Sequence, residues 1–453
     1  MDNKIFKSYD IRGIYNKEFK KDDIKVIAQA YLQEIARIGQ KEIKDLKIII
    51  ARDIRHSSPE ITTTFIAEVI KYGVEVNDLG LMPIDALYYL VGQDNYDGGI
   101  MITASHNPPP YGGIKMLATK VEAIRGTRIK EVIAELKEIP LREGKKKELD
   151  IWDKYIEHVL SFVNLDNIKP LKIVIDAGNA MAGLTIPRIF SKIPQIEVRE
   201  LFFEPDGDFP FRDPNPLNEG AADKLIAKVK EESADLGAIF DADSDRVFLI
   251  DEKGNFIKGD QILILLAEAI IKDNPGASIV YNLICSKAVP EIIKNLGGRA
   301  IRSEVGYANV KKHMEEENGL LGGEVSGHFS FKKNYYSDCA YAALLMILEI
   351  LSLKNKKLSA LVAKNKIYYR ANELNITISD IPLALDKIRE KYASNIRDEI
   401  DGLTVEFYDE EELNYWFNVR ASNTEPLLRI TVEAQDRERA EKYQKELLAI
   451  INN

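Results

Sequence analysis

Along most of the chain, short uninterrupted apolar runs alternate with stretches in which apolar residues recur every three or four positions. The first pattern predicts buried strands and the second amphipathic helices; their regular alternation predicts α/β architecture. Ile24, Ile27, Ala28, Tyr31, Ile35 and Ile38 share one helical face over 23–38, with Gly39 as the stop. Buried strands are predicted at 47–51, 74–79 and 99–103, and a helix at 59–72 closed by Gly73. The charged stretch 141–150, with Lys145, Lys146 and Lys147, reads as solvated surface near a domain boundary.

The same order then recurs. A second unit has strands at 171–176, 198–203 and 237–240, with an ordered Pro-, Asp- and Phe-rich loop over 205–218. A third has a helix over 261–271, a strand over 278–283, a helix over 288–296, a strand over 299–302 and a long helix over 338–353. After the basic segment 354–366 the pattern changes. Strands at 373–378, 403–408, 415–420 and 427–434, with helices at 382–392 and 437–451, predict a small α+β domain of mainly antiparallel sheet. The predicted fold is therefore three similar α/β domains with mixed sheets plus a C-terminal α+β domain. The expected boundaries are 1–148, 149–253, 254–366 and 367–453.

A chain of 453 residues, 45% hydrophobic and 30% charged, is a globular protein with ample core. Its net charge of -10 argues against nucleic acid or an anionic membrane as the main partner, so any basic site must be local. Cys285 and Cys339 show neither metal-ligand spacing nor a disulfide framework, which fits a reducing cytoplasm. No signal-peptide pattern opens the sequence, and the apolar run at 342–348 is too short to span a bilayer.

Four stretches carry candidate chemistry. Thr103-Ala104-Ser105-His106-Asn107-Pro108 reads as a short polar turn straight after a predicted strand, with Gly112, Gly113 and Lys115 just beyond it. Ser105 is placed to meet a ligand but would need activation to act as a nucleophile; the hexapeptide alone equally describes a plain strand-end turn. Asp241-Ala242-Asp243-Ser244-Asp245-Arg246 also follows a strand. Alternation or a turn would converge its three carboxylates, which repel unless a cation joins them, and all-oxygen ligation suits Mg²⁺. Arg246 is either their counter-ion or a contact to a phosphate held there. Gly322-Gly323-Glu324-Val325-Ser326-Gly327-His328 offers groups suited to sugar hydroxyls, though in isolation it is an ordinary glycine-rich turn. Arg420-Ala421-Ser422-Asn423-Thr424-Glu425-Pro426, with Arg429 beyond, has the composition of a phosphate cradle or of a hairpin loop. Tyr9 and Arg12 lie in a turn near the N-terminus.

Taken together and in this order, TASHNP, DADSDR, GEVSGH and RASNTEP resemble the α-D-phosphohexomutase family, most closely its phosphomannomutase/phosphoglucomutase branch. The resemblance covers essentially the whole chain. It implies four domains around a central cleft, each giving one loop. It implies that Ser105 carries a phosphoryl group, that Asp241, Asp243 and Asp245 bind one Mg²⁺ with the Ser105 phosphate, and that His106, Lys115 and Arg246 surround that phosphate. Glu324, Ser326 and His328 match the sugar-reading loop. Arg420, Ser422, Asn423, Thr424 and Arg429 match the loop for the substrate's other phosphate, and Tyr9 and Arg12 match the segment lining the same cleft. Lys115, Glu324 and His328 are the general acid/base candidates.

The implied activity interconverts hexose 1- and 6-phosphates of mannose or glucose through a hexose 1,6-bisphosphate. The implied protein is cytoplasmic, a monomer or weak homo-oligomer, and has sugar phosphates as its partners. The alternatives are a phosphoglucosamine mutase, a sugar-phosphate phosphatase and a non-catalytic sensor. Two positions depart from the branch: Tyr307 stands where a His is frequent after Val-Gly, and Ile284 where a Lys is common, with Lys287 nearby.

Overall fold

The computed structural model describes all residues except 94, 379, 411, 422–426 and 453. The chain forms two compact units: residues 1–259 with 326–359, and residues 260–325 with 360–453.

The first unit holds two mixed sheets. In the first, Lys47–Arg52 lies between two parallel neighbours, Glu75–Leu81 and Gly98–Ile102. Tyr111–Ala118 then pairs antiparallel to Gly98–Ile102, and Ile11–Ile14 closes that edge. The helices Lys21–Gly39 and Ser58–Val69 pack on this sheet through Ile24, Ile27, Tyr31, Ile61 and Phe65, all fully buried. Tyr31 reaches through the layer and donates to the Leu117 carbonyl at 2.9 Å. The second sheet repeats the order. Leu171–Asp176 lies between parallel Ile196–Leu201 and Leu236–Phe240, and Val247–Asp251 runs antiparallel beside the last. The helix Ala340–Lys354 is buried nearly all round, which explains its lack of a polar face, and Tyr341 stacks on Phe240 with ring centroids 5.2 Å apart.

In the second unit, Ser278–Asn282 again lies between two parallel strands, Arg299–Ser303 and Leu321–Gly323. A separate six-stranded antiparallel sheet centres on Glu412–Ala421 and Leu427–Ala434, covered by the helices Ile381–Lys391 and Arg437–Asn452. Threefold recurrence of one parallel strand order, followed by an antiparallel sheet, is the predicted fold class.

Strands outside the expected set include two in the first sheet. The segment with Lys145, Lys146 and Lys147 is solvated surface, as expected, and also forms an edge strand, Lys145–Glu148, parallel to Glu75–Leu81. Ion pairs of Lys145 with Glu75 and Lys146 with Asp78, at 2.7 and 2.8 Å, replace the apolar pattern that would have signalled it. Gly112, Gly113 and Lys115, just beyond the serine loop, lie in a strand absent from that set, Tyr111–Ala118, with Lys115 opposite Met101. A side chain at Gly113 would come within 2.6 Å of the Ile11 and Thr103 carbonyls, so the glycine serves close backbone approach inside the sheet.

Candidate active site

In each α/β repeat, the third parallel strand delivers one of the candidate loops from its carboxyl end. Gly98–Ile102 leads to Ser105, Leu236–Phe240 to Asp241, and Leu321–Gly323 to Glu324. Such strand ends leave backbone and side chains unpaired by the sheet and open to ligands.

The first two loops meet in the first unit. Ser105 has φ 48°, a left-handed conformation that costs a non-glycine residue about 1–3 kcal/mol and needs outside support. Its amide donates to Thr103 Oγ1 at 2.8 Å. Its hydroxyl donates to Asp241 Oδ2 at 3.3 Å and lies 3.2 Å from His106 Nδ1. Burial first, then Arg246 and Arg12, hold the His106 imidazole well below its ordinary pKa, so at neutral pH it is an uncharged ring.

Asp241, Asp243 and Asp245 are buried, and each offers one oxygen within 4.8 Å of the others'. The convergence comes from a turn, not from strand alternation. Ser244 has φ 63°, and its amide donates to the Asp241 carbonyl at 3.2 Å. Lys115 Nζ bridges Asp243 Oδ2 and Asp245 Oδ2, both at 2.8 Å. Burial, followed by Asp245 and Asp243, raises the Asp241 carboxyl well above the usual range. Burial would raise Asp245 too, but Lys115, His328 and Arg246 outweigh it and hold that carboxyl low. Asp243 Oδ1 accepts no hydrogen bond among the described residues. Three convergent carboxylates, one with an orphaned buried oxygen, fit a hard divalent cation such as Mg²⁺.

His328 joins the same cluster. Its Nε2 lies 3.4 Å from Asp245 Oδ1 and 3.3 Å from Arg246 Nε, and its Nδ1 lies 2.9 Å from Ser326 Oγ. Burial and Arg246 oppose its protonation, but Asp245 and Asp338 prevail and its pKa is raised. Arg12 lies in the strand Ile11–Ile14 and not in the expected turn. It donates to Asp10 Oδ2 at 2.7 Å and to Asn107 Oδ1 at 2.8 Å, which ties that strand to the serine loop. Tyr9 lies half-buried in the bend just before the strand.

In the second unit, Glu324 Oε2 accepts from Asn282 Nδ2 and from the Gly306 amide, both at 3.0 Å. Tyr307 opens the helix Tyr307–Glu316 beside that contact. Ile284 is buried. Lys287, the nearby lysine, is ion-paired with Glu406 and lies over Trp416; burial lowers its pKa to about 8. Arg420 is buried, pairs with Glu373 at 3.4 Å, and stands opposite Arg429 across the sheet. Ser422, Asn423 and Thr424 lie outside the described residues.

One side chain at the serine loop escaped the sequence reading, Arg55, and another, Asn107, stands in the TASHNP stretch without an assigned role. Arg55 is wholly buried and donates to the Ser105 carbonyl at 2.5 Å. No pattern separates Arg55 from ordinary surface residues.

The strand-end loops and a buried carboxylate cluster facing a serine define a phosphoryl-transfer enzyme. Four family descriptions fit the chain consecutively. Those for the phosphoglucomutase/phosphomannomutase alpha/beta/alpha domains I, II and III match residues 3–143, 153–254 and 258–368, and that for the C-terminal domain matches 373–450. A phosphomannomutase of Salmonella montevideo is 33% identical over 99% of both chains. One from Methanocaldococcus jannaschii is 35% identical over 99% of this chain and 97% of its own. The crystal structure of a phosphoglucomutase/phosphomannomutase family protein from Burkholderia thailandensis superposes with a TM-score of 0.87 at 30% identity, covering 100% of this chain and 98% of that one. The chain belongs to the phosphoglucomutase/phosphomannomutase family, the α-D-phosphohexomutases. It is a phosphohexomutase, an isomerase that works by intramolecular phosphoryl transfer. Among the described residues no helix is long and apolar enough to cross a membrane.

Proposed function

We propose that the protein interconverts the 1- and 6-phosphates of mannose and glucose, with Ser105 as the carrier of the phosphoryl group. The observation that carries this reading is the approach of Ser105 Oγ to Asp241 at 3.3 Å, inside a cluster built from three buried carboxylates, Lys115, Arg246 and His328.

In the forward half-reaction, the bond between phosphorus and Ser105 Oγ breaks as a bond from phosphorus to a sugar hydroxyl oxygen forms. The hydroxyl proton passes to a base on the protein. Ser105 Oγ takes up a proton as it leaves, and the hexose 1,6-bisphosphate turns over. Its other phosphoryl group passes back to Ser105 Oγ, whose proton goes to the protein while the released sugar oxygen is protonated to a hydroxyl. Lys115, Glu324 and His328 are the groups able to hold those protons. Asp241, Asp243 and Asp245 would hold Mg²⁺, which supplies charge neutralisation to the transferring phosphoryl oxygens. Lys115 and Arg246 add fixed positive charge at the same place. Glu324, oriented by Asn282 and the Gly306 amide, accepts from sugar hydroxyls. Arg420 and Arg429, with Ser422, Asn423 and Thr424, bind the phosphate that is not reacting.

Relatives named phosphomannomutase support mannose, and one named phosphomannomutase/phosphoglucomutase supports glucose beside it, over an amino sugar. Rates measured on mannose 1-phosphate, glucose 1-phosphate and glucosamine 6-phosphate test this. The expected result is at least about a tenfold advantage for the neutral sugars, the scale on which a changed polar contact discriminates. A faster rate on glucosamine 6-phosphate, or release of free phosphate in place of isomerisation, contradicts it.

A further inference from the structure

The geometry points to Arg55 as the positioning residue that holds Ser105 in its strained turn and aims its oxygen at the acidic loop. This inference rests on the reading of Ser105 as the phosphoryl carrier. Arg55 follows the strand Lys47–Arg52 and has no solvent exposure. One of its terminal nitrogens, Nη2, donates to the carbonyls of Ser105 and Asn107, both at 2.5 Å. The other, Nη1, donates to the carbonyls of Pro108 and Tyr111 at 2.9 and 3.2 Å. Four acceptors from one short loop thus converge on one planar fork.

The fork is itself fixed. Arg55 Nε faces Asp53 Oδ2 at 3.2 Å, and Asp53 is equally buried. Asp53 Oδ1 accepts from the Arg55 amide at 3.1 Å and from Ser58 Oγ at 2.5 Å. The Phe209 ring covers the guanidinium from 5.1 Å. Phe209 also packs with Ala242, which lies between two of the clustered aspartates, and with Ile54. One buried cation therefore ties the serine loop to the base of the acidic loop.

The physical reason is the backbone. With φ 48°, Ser105 turns its carbonyl inward, where it would lie buried and unpaired without a donor. A lysine at this position carries charge but no planar fork, and cannot reach four carbonyls from one nitrogen. Arg55 touches no reacting atom in this geometry, so its effect is on where Oγ stands. A misplacement of about 1 Å at a reacting group costs on the order of 100-fold in rate.

The test compares Arg55→Lys, Arg55→Met and Ser105→Ala with the full-length wild type. Three quantities are read: single-turnover transfer of labelled phosphate from glucose 1,6-bisphosphate to the protein, KM for the hexose phosphate, and cooperative thermal unfolding. Arg55→Lys is expected to unfold cooperatively, to keep KM within about twofold, and to slow phosphoryl transfer by about 30-fold or more. Arg55→Lys decides the matter if Arg55→Met does not fold. Transfer by Arg55→Lys at the wild-type rate overturns the inference. So does a loss that appears wholly in KM, or the absence of cooperative unfolding in Arg55→Lys. An inactive Ser105→Ala beside an unimpaired Arg55→Lys removes this inference alone, whereas an active Ser105→Ala removes the reading of Ser105 itself.

Discussion

Lys115 and Asp243 form a buried ion pair, 2.8 Å from Nζ to Oδ2, at the site where the three carboxylates converge. The lysine occupies electrostatically the place that a divalent cation would take, so the two compete for the same negative charge. Lys115→Met should therefore bind Mg²⁺ more tightly, by about tenfold if the lysine is worth one pKa unit of attraction. The same variant should isomerise sugar phosphates at least about 100-fold more slowly, because it lacks charge at the transferring group. Calorimetric Mg²⁺ titration alongside steady-state rates checks both.

Asp243→Asn keeps the shape of the side chain and removes one charge from the cluster. Mg²⁺ affinity is expected to fall about tenfold or more, and isomerisation with it. Treatment of the wild type with a chelator should abolish activity, and restored Mg²⁺ should return it.

Glu34 makes a stability prediction remote from the site. Arg37 and Arg128 each pair with both of its oxygens. Burial alone would raise this carboxyl, but the two guanidinium groups outweigh it and lower its pKa from 4.5 to about 2. The group is therefore more readily ionised in the folded protein than in the unfolded chain. Its contribution is present above about pH 4.5 and is lost as the pH falls towards 2. Because Arg37 and Arg128 are 60% and 40% exposed, solvent screening limits the contribution to about 1 kcal/mol. Glu34→Gln should melt at a lower temperature than wild type at pH 7, with the gap closing as the pH falls from 4.5 to 2.

Glu324→Gln tests the sugar-reading role. The amide keeps the shape but replaces one acceptor oxygen by a donor. KM for the hexose phosphate should rise by about tenfold, with phosphorylation of Ser105 by added bisphosphate less affected. A change in phosphorylation alone, with KM intact, would place Glu324 in the chemistry of proton transfer instead.

Much of this fold is legible in the sequence because its parallel strands are buried on both faces and appear as apolar runs. Leu171–Asp176 and Ser278–Asn282 fall where the pattern predicts them. The strand Lys145–Glu148 is invisible because it is an edge held by backbone pairing and surface charge. The strand Tyr111–Ala118 is disguised by paired glycines that serve close packing and not a turn. At the site, the acidic run announces itself because adjacent carboxylates are costly without a cation. Arg55 does not, because a guanidinium that binds four carbonyls is recognised only once the chain has folded around it. Glu324 and His328 are four positions apart in sequence, yet Glu324 is anchored by Asn282 and His328 by Asp245 and Ser326. Sequence proximity alone could not assign those different supports.

The most direct test of Ser105 as carrier is the intact mass of the protein after incubation with glucose 1,6-bisphosphate and Mg²⁺, for wild type and Ser105→Ala. The wild type should gain the mass of one phosphoryl group, mapped to Ser105 by peptide analysis and removed on adding hexose phosphate, while Ser105→Ala gains none and does not isomerise. Phosphate found on another residue, or isomerisation by Ser105→Ala at the wild-type rate, would contradict the account.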